Sequence, residues 1–155
     1  CRASYAALEN EMKEKLKNLN AYHSYEYSQK ERYGHKSKEE SEFSGYGFDV
    51  DPKPLRPLVK THPETGIKCL TIGRHIYKIP GMEDDEARSL AKELEEFSLS
   101  NQEWIYHHNW KKGDAVIWDN RCLMHQACPW NYEEPRIMFH SRIAGDKSSE
   151  LALNH

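Results

Sequence analysis

Nine histidines are spread along this 155-residue chain, but few stand where neighbouring residue types could give them chemistry. The densest stretch lies toward the C-terminus. His125 falls in a strand-like run, residues 122–127, and Arg136 opens another, residues 136–143. A loop with Pro129 and Pro135 joins them, so the two runs are candidate antiparallel neighbours, and adjacent strands sit about 4.8 Å apart. An imidazole and a guanidinium could then line one cavity. The first is a candidate metal ligand, and the second is a fork that meets a carboxylate with two parallel hydrogen bonds. With the two-residue period of a strand, Arg136, Met138, His140 and Arg142 share one face, and Ile137, Phe139 and Ile143 the other. The simplest account of that pattern is a cationic face turned to water, and a lone His is more often structural than a ligand. On the residues alone both accounts stand.

The elements that must position these groups are readable in part. Residues 3–19 predict a helix: Tyr5, Leu8, Met12, Leu16 and Leu19 recur at three- and four-residue steps, with Ser4 as a candidate cap. Residues 20–54 turn polar and aromatic without a period, and the 22–54 stretch, rich in tyrosine, predicts a long loop or lid. Pro52, Pro54 and Pro57 mark an extended entry to a strand over 55–61. His62-Pro63-Glu64-Thr65-Gly66 is a turn, and 68–72 is the returning strand of a hairpin. After the Pro80-Gly81 break, Glu83, Asp84, Asp85 and Glu86 place acid in a first helical turn, where the dipole favours it. Ala87, Leu90, Ala91, Leu94 and Phe97 are the apolar face of that helix. Short strands follow at 104–110, 115–118, 122–127 and 136–143, and residues 147–155 predict a frayed tail. The sum is a mostly β fold with helical insertions, an antiparallel barrel or jelly roll.

Composition excludes several classes. The 22 Lys+Arg against 25 Asp+Glu leave a net charge of −3, which gives no electrostatic reason to expect nucleic acid. No apolar run approaches the ~20 residues of a membrane span. Four cysteines, Cys1, Cys69, Cys122 and Cys128, form no C-x-x-C and are too sparse for a disulfide framework, which predicts free thiols and a cytoplasmic protein. A small zinc site using the histidines is disfavoured: His107 and His108 would point to opposite faces of a strand, and no Cys/His spacing suits a closed site.

The grouping Gly113-Asp114-x-x-x-Trp118-Asp119-Asn120-Arg121-x-x-x-His125, with Arg136 following, resembles the C-terminal half of the taurine/2,4-D dioxygenase family, whose members are Fe(II)- and 2-oxoglutarate-dependent oxygenases. Residues 61–66 (Thr-His-Pro-Glu-Thr-Gly), 72–75 (Ile-Gly-Arg-His), 21–24 (Ala-Tyr-His-Ser) and the ending Ile143-Ala144-Gly145-Asp146 are similar to the same family, so the resemblance covers nearly the whole chain. It implies a double-stranded β-helix, or jelly roll, with residues 1–155 as the C-terminal part of a single dioxygenase domain. It implies a two-His-one-carboxylate iron site with open positions for cosubstrate and O2. His125 matches the distal His of that site, and Arg136 the arginine that takes the far carboxylate of 2-oxoglutarate. Trp118 matches a tryptophan near the iron, a place where core packing is an equal account. Asp119 and Asn120 are expected to hold their turn by local bonds. His140 stands where some relatives carry a second arginine for the substrate's anionic group, and Arg142, two residues on, is a candidate replacement. Trp118, His140 and Arg142 are thus the candidate substrate pocket.

The resemblance also exposes a gap. The family's iron site needs a His-x-Asp or His-x-Glu pair, and no His here is followed by Asp at the second position. His62-Pro63-Glu64 fits by letter but lies in a Pro/Gly turn and matches a turn motif that ligates nothing in the family. The expectation is a sequence that starts after the first two ligands, with the N-terminal strands of the barrel missing and no initiating Met. The leading expectation is therefore a fragment of a dioxygenase that hydroxylates a small, anionic substrate and releases succinate and CO2. The alternative is a catalytically inactive remnant acting as a binding module. Substrate identity and oligomeric state are not legible.

Overall fold

The computed structural model describes residues 1–31, 34–37 and 53–154. The expected opening helix is two helices, α1 (Arg2–Ala7) and α2 (Asn10–Leu16), divided where Leu8 and Glu9 turn extended, with ψ of 145° and 150°. The division keeps the predicted apolar stripe inward: Leu8 and Leu16 are buried, and Tyr5, Met12 and Leu19 pack against the core. Ser4 is not a cap. It lies buried within α1, whose N-cap is Cys1, and its hydroxyl has no partner.

Residues 20–23, expected to open a loop, instead form β1 (Asn20–His23), the central strand of a three-stranded antiparallel sheet. Its neighbours are β2 (Leu55–Pro57), with Asn20 opposite Pro57 and Tyr22 opposite Leu55, and β5 (Ile76–Lys78), with a register shift between Tyr22 and His23. A π-helical turn, Tyr27–Glu31, follows β1. Of the aromatic residues in the expected 22–54 lid, Tyr33, Phe43, Tyr46 and Phe48 lie outside the described residues. Tyr22 and Tyr27 both lean on Tyr77, with ring centroids 6.2 and 6.1 Å away.

The hairpin forms where the turn chemistry places it. β3 (Val59–Thr61) pairs antiparallel with β4 (Lys68–Leu70), Val59 opposite Leu70 and Thr61 opposite Lys68. Gly66 closes the turn at φ +68°, the left-handed region that glycine enters without steric cost. The expected strand over 55–61 is broken at Leu58, a fully buried side chain, so that β2 joins one sheet and β3 the other. The long helix α3 (Asp84–Leu99) packs on β5. Ala87, Leu90, Ala91 and Leu94 are buried and Phe97 lies against the core, matching the face read from their spacing.

From Ile105 to Gly145 the described residues form no β-ladder, so the four strands expected there are not realised as paired strands. A strand is a paired object, and alternation along one segment does not by itself supply a ladder partner. Alternation in exposure shows at 115–118, where Ala115 and Ile117 are exposed and Val116 and Trp118 half-buried, whereas residues 136–143 are exposed throughout, Phe139 and Ile143 at 96% and Ile137 at 80%. The end of the chain is tied down rather than frayed. Asp146 caps a short α4 (Lys147–Glu150) through Ser148 N, 2.8 Å from Oδ1. Leu153 N donates to Leu55 O at 2.8 Å, Asn154 Oδ1 accepts from Leu55 N at 3.1 Å, and Lys60 Nζ meets Glu150. Those bonds satisfy the outer edge of β2, which is why the tail holds. No helix among the described residues is long and apolar enough to cross a membrane.

Candidate functional site

Trp118, His125 and His140 come together as one group. The Trp118 ring lies 5.1 Å from that of His125 and 6.0 Å from that of His140, the latter nearly parallel at 15°. Trp118 Nε1 donates to Asn120 Oδ1 at 2.9 Å, a local bond that orients the indole. His125 is held below the ordinary imidazole pKa, first by burial and then by His140, Arg142 and Arg74. The neutral ring is the form that ligates a metal. His140 of the polar face thus reaches Trp118, while residues 136–143 are exposed on both faces.

Arg136 is held elsewhere. Its guanidinium sits 4.8 Å above the Trp130 ring, and Trp130 in turn lies 4.5 Å from Tyr132. Cation–π contact of this kind fixes the plane of the fork. The loop 129–135 is therefore a cradle for Arg136, a role that its Pro-rich sequence did not announce.

A second constellation was not foreseen. His62, 6% exposed at the end of β3, directs Nε2 at Asp119 Oδ2, 2.9 Å away. Arg121 grips the same carboxylate with Nε 2.9 Å from Oδ1 and Nη2 2.7 Å from Oδ2, and reaches Glu64 with Nη1 at 2.8 Å. Arg121 N also donates to Asp119 Oδ1 at 2.9 Å, the expected local turn bond. Arg121 first and His62 second hold the Asp119 carboxyl well below the usual carboxylate range, and Asp119 raises the Arg121 guanidinium in return. The Thr65 amide donates to His62 Nδ1 at 3.3 Å, which leaves the ring proton on Nε2, facing Asp119. Among the described residues, His62, Asp119 and Cys122 make the one group of three metal-capable side chains within mutual reach. The guanidinium on both Asp119 oxygens opposes a cation there, so the cluster reads as a brace. The signal available in the sequence was a pair of turn motifs, one carrying His and Glu and the other Asp and Arg. All four cysteines are free thiols.

Comparison with known proteins gives a consistent answer. The chain is 54% identical over 155 residues to a (S)-phenoxypropionate/alpha-ketoglutarate-dioxygenase of Sphingobium herbicidovorans, covering 99% of this chain and 53% of that protein. It is 35% identical over 126 residues to an alpha-ketoglutarate-dependent 2,4-dichlorophenoxyacetate dioxygenase of Cupriavidus pinatubonensis, covering 81% of this chain and 42% of that one. Among solved structures it resembles AAD-2 in complex with Mn(II) and N-oxalylglycine, with TM-score 0.71 and 33% identity over 86% of this chain and 50% of that one. The chain spans about half the length of these relatives. The profile described as taurine catabolism dioxygenase TauD, TfdA family matches residues 1–142, and the chain belongs to that family.

Proposed function

We propose that this chain contributes to an Fe(II)- and 2-oxoglutarate-dependent dioxygenase acting on a small aryloxyalkanoate-type acid. The observation that carries the reading is the 54% identity, over nearly the whole chain, to a phenoxypropionate dioxygenase. In this reading His125 is one metal ligand and Arg136 anchors the far carboxylate of 2-oxoglutarate.

The surroundings of His125 fit one imidazole ligand and no more. Its ring neighbour is Trp118 and the nearby charges are His140, Arg142 and Arg74. None of these is a carboxylate, and one imidazole does not hold Fe(II) tightly. No step is therefore assigned to a metal held by these residues alone. When bound, the iron–2-oxoglutarate pair supplies the oxidising power. The chain's own residues bind and orient. Arg136, its plane fixed on Trp130, offers two parallel donors to a carboxylate. Trp118 packs against one side of the ligand ring, 5.1 Å away. Arg142 supplies positive potential, and His140 a hydrogen-bonding ring, for the acid group of the substrate. A double-stranded β-helix accounts for the uncovered apolar face of Ile117, Ile137, Phe139 and Ile143, which would close against a further sheet.

The test is succinate release by the full-length protein with each enantiomer of a phenoxypropionate, with taurine as control. Turnover on the aryloxy acid alone supports the assignment. Turnover on taurine alone moves the substrate class. No succinate with any acid, in protein that takes up no Mn(II), favours the alternative of an inactive binding module, the reading motivated by the absent His-x-Asp pair.

A further inference from the structure

The loop between Trp118 and His125 is gripped from one side by a single hairpin. His62 holds Asp119 at 2.9 Å, and Glu64 holds Arg121 at 2.8 Å; both come from the turn between β3 and β4. Cys69 of β4, fully buried, donates its thiol to Arg121 O at 3.3 Å. Beyond the grip, Met124 packs into the core, its Sδ 3.9 Å from where a side chain on Gly73 would begin. The next residue is His125. The two rings in contact at 5.1 Å, Trp118 and His125, thus stand at the two ends of a braced loop.

The Asp119 carboxylate is saturated: Oδ1 accepts from Arg121 N and Nε, and Oδ2 from His62 Nε2 and Arg121 Nη2. A carboxylate with its lone pairs so filled fixes direction as well as distance. Three of the four donors come from within the loop, and the fourth, His62, joins the carboxylate itself to the hairpin, beside the Glu64 and Cys69 contacts to Arg121.

We infer that His62 is a positioning residue for His125: acting through Asp119 and Arg121, it sets the loop that presents the imidazole to a metal. The inference rests on the functional reading above, but it makes a claim about the apo protein as well. Partners behind a metal ligand commonly change metal affinity by roughly 10–100-fold when removed.

The experiment compares wild type, His62→Ala, His62→Gln and Asp119→Asn in the full-length protein. Mn(II) affinity is measured by titration calorimetry, and the Trp118 indole N–H resonance is followed without metal, assigned with Trp118→Phe. Gln can place an amide donor near the position of Nε2. The expected result is Mn(II) affinity at least ~10-fold weaker in His62→Ala and Asp119→Asn, recovery to within ~3-fold in His62→Gln, and a Trp118 resonance that shifts in the first two and returns in the third. A folded His62→Ala protein with wild-type Mn(II) affinity and an unmoved Trp118 resonance overturns the inference. If His62→Ala does not fold, Asp119→Asn and His62→Gln decide: equal and wild-type behaviour in both overturns it. If wild type binds no Mn(II) while the Trp118 resonance responds as expected, the functional reading falls and the brace stands.

Discussion

Trp118 and His140 lie with their ring planes 15° apart and centroids 6.0 Å apart, while the same indole meets His125 at 5.1 Å. One indole therefore sets the spacing of two imidazoles that come from different segments. An aromatic pair contributes about 0.5–1.5 kcal/mol beyond its area. Trp118→Ala is expected to lower kcat/KM for the acid substrate by up to roughly tenfold through that contact alone, and Trp118→Phe by about threefold or less. A steady-state series with both variants checks this, and equal losses for Ala and Phe would show that the ring contact is not what matters.

Arg136 gives a sharper prediction because its fork and the ring that supports it can be changed separately. Arg136→Lys keeps the charge but loses the paired donors, and should raise the KM for 2-oxoglutarate at least ~10-fold. Trp130→Leu keeps Arg136 but removes the surface that fixes its plane, and should raise the same KM by a smaller factor, about 2- to 5-fold, from loss of roughly 0.5–1 kcal/mol of cation–π contact. Kinetics at varied 2-oxoglutarate separate the two. A larger effect from Trp130→Leu than from Arg136→Lys contradicts the assignment.

The parts that could be read in advance were those whose physics is local. The α3 face follows from spacing, its acidic first turn from the dipole, and the β3–β4 hairpin from the Pro/Gly turn at 62–66. β1 was hidden because only Ala21 of its four residues is buried, so no alternation shows, and β5 is three residues long. The brace joins positions 57 apart in sequence and could not be found from spacing. The segment from 104 to 143 carries strand alternation, yet it makes no ladder, because pairing depends on a neighbour that the pattern of one segment does not supply. Proposing roles for His125 and Arg136 needed the combined motif, since neither residue is informative alone. The contact of Arg136 with Trp130 needed coordinates.

Helix α3 offers a paired stability test. Leu94 is 1% exposed on its inner face, and Leu94→Ala should cost about 2–5 kcal/mol by transfer and cavity terms together. Ser98, four residues on, is also buried, and its hydroxyl has no hydrogen-bond partner. Ser98→Ala removes an unsatisfied polar group and installs a better helix former, so it should stabilise by up to about 1 kcal/mol. Urea denaturation measures both, and a destabilising Ser98→Ala would mean that the hydroxyl is satisfied in solution.

Acid sensitivity follows from two histidines at one end of the three-stranded sheet, His23 closing β1 and His75 just ahead of β5. His23 is held down at about 4, first by burial and then by the charges of Arg56 and His75. His75 is also held at about 4, by burial and then by Arg74, with its Nδ1 2.5 Å from Ser28 Oγ and its ring stacked 4.5 Å from Tyr25. In the unfolded chain both rings take a proton near 6.5. Between about 6.5 and 4 the unfolded state binds more protons, so stability falls as the pH falls through that window and is fully present above it. His23 Nε2 is buried without a partner, so His23→Phe removes a titrating group at little polar cost. Thermal melts at pH 7 and pH 5 should show a drop in Tm for wild type and a clearly smaller drop for His23→Phe. An unchanged drop in the variant would place the acid response outside this pair.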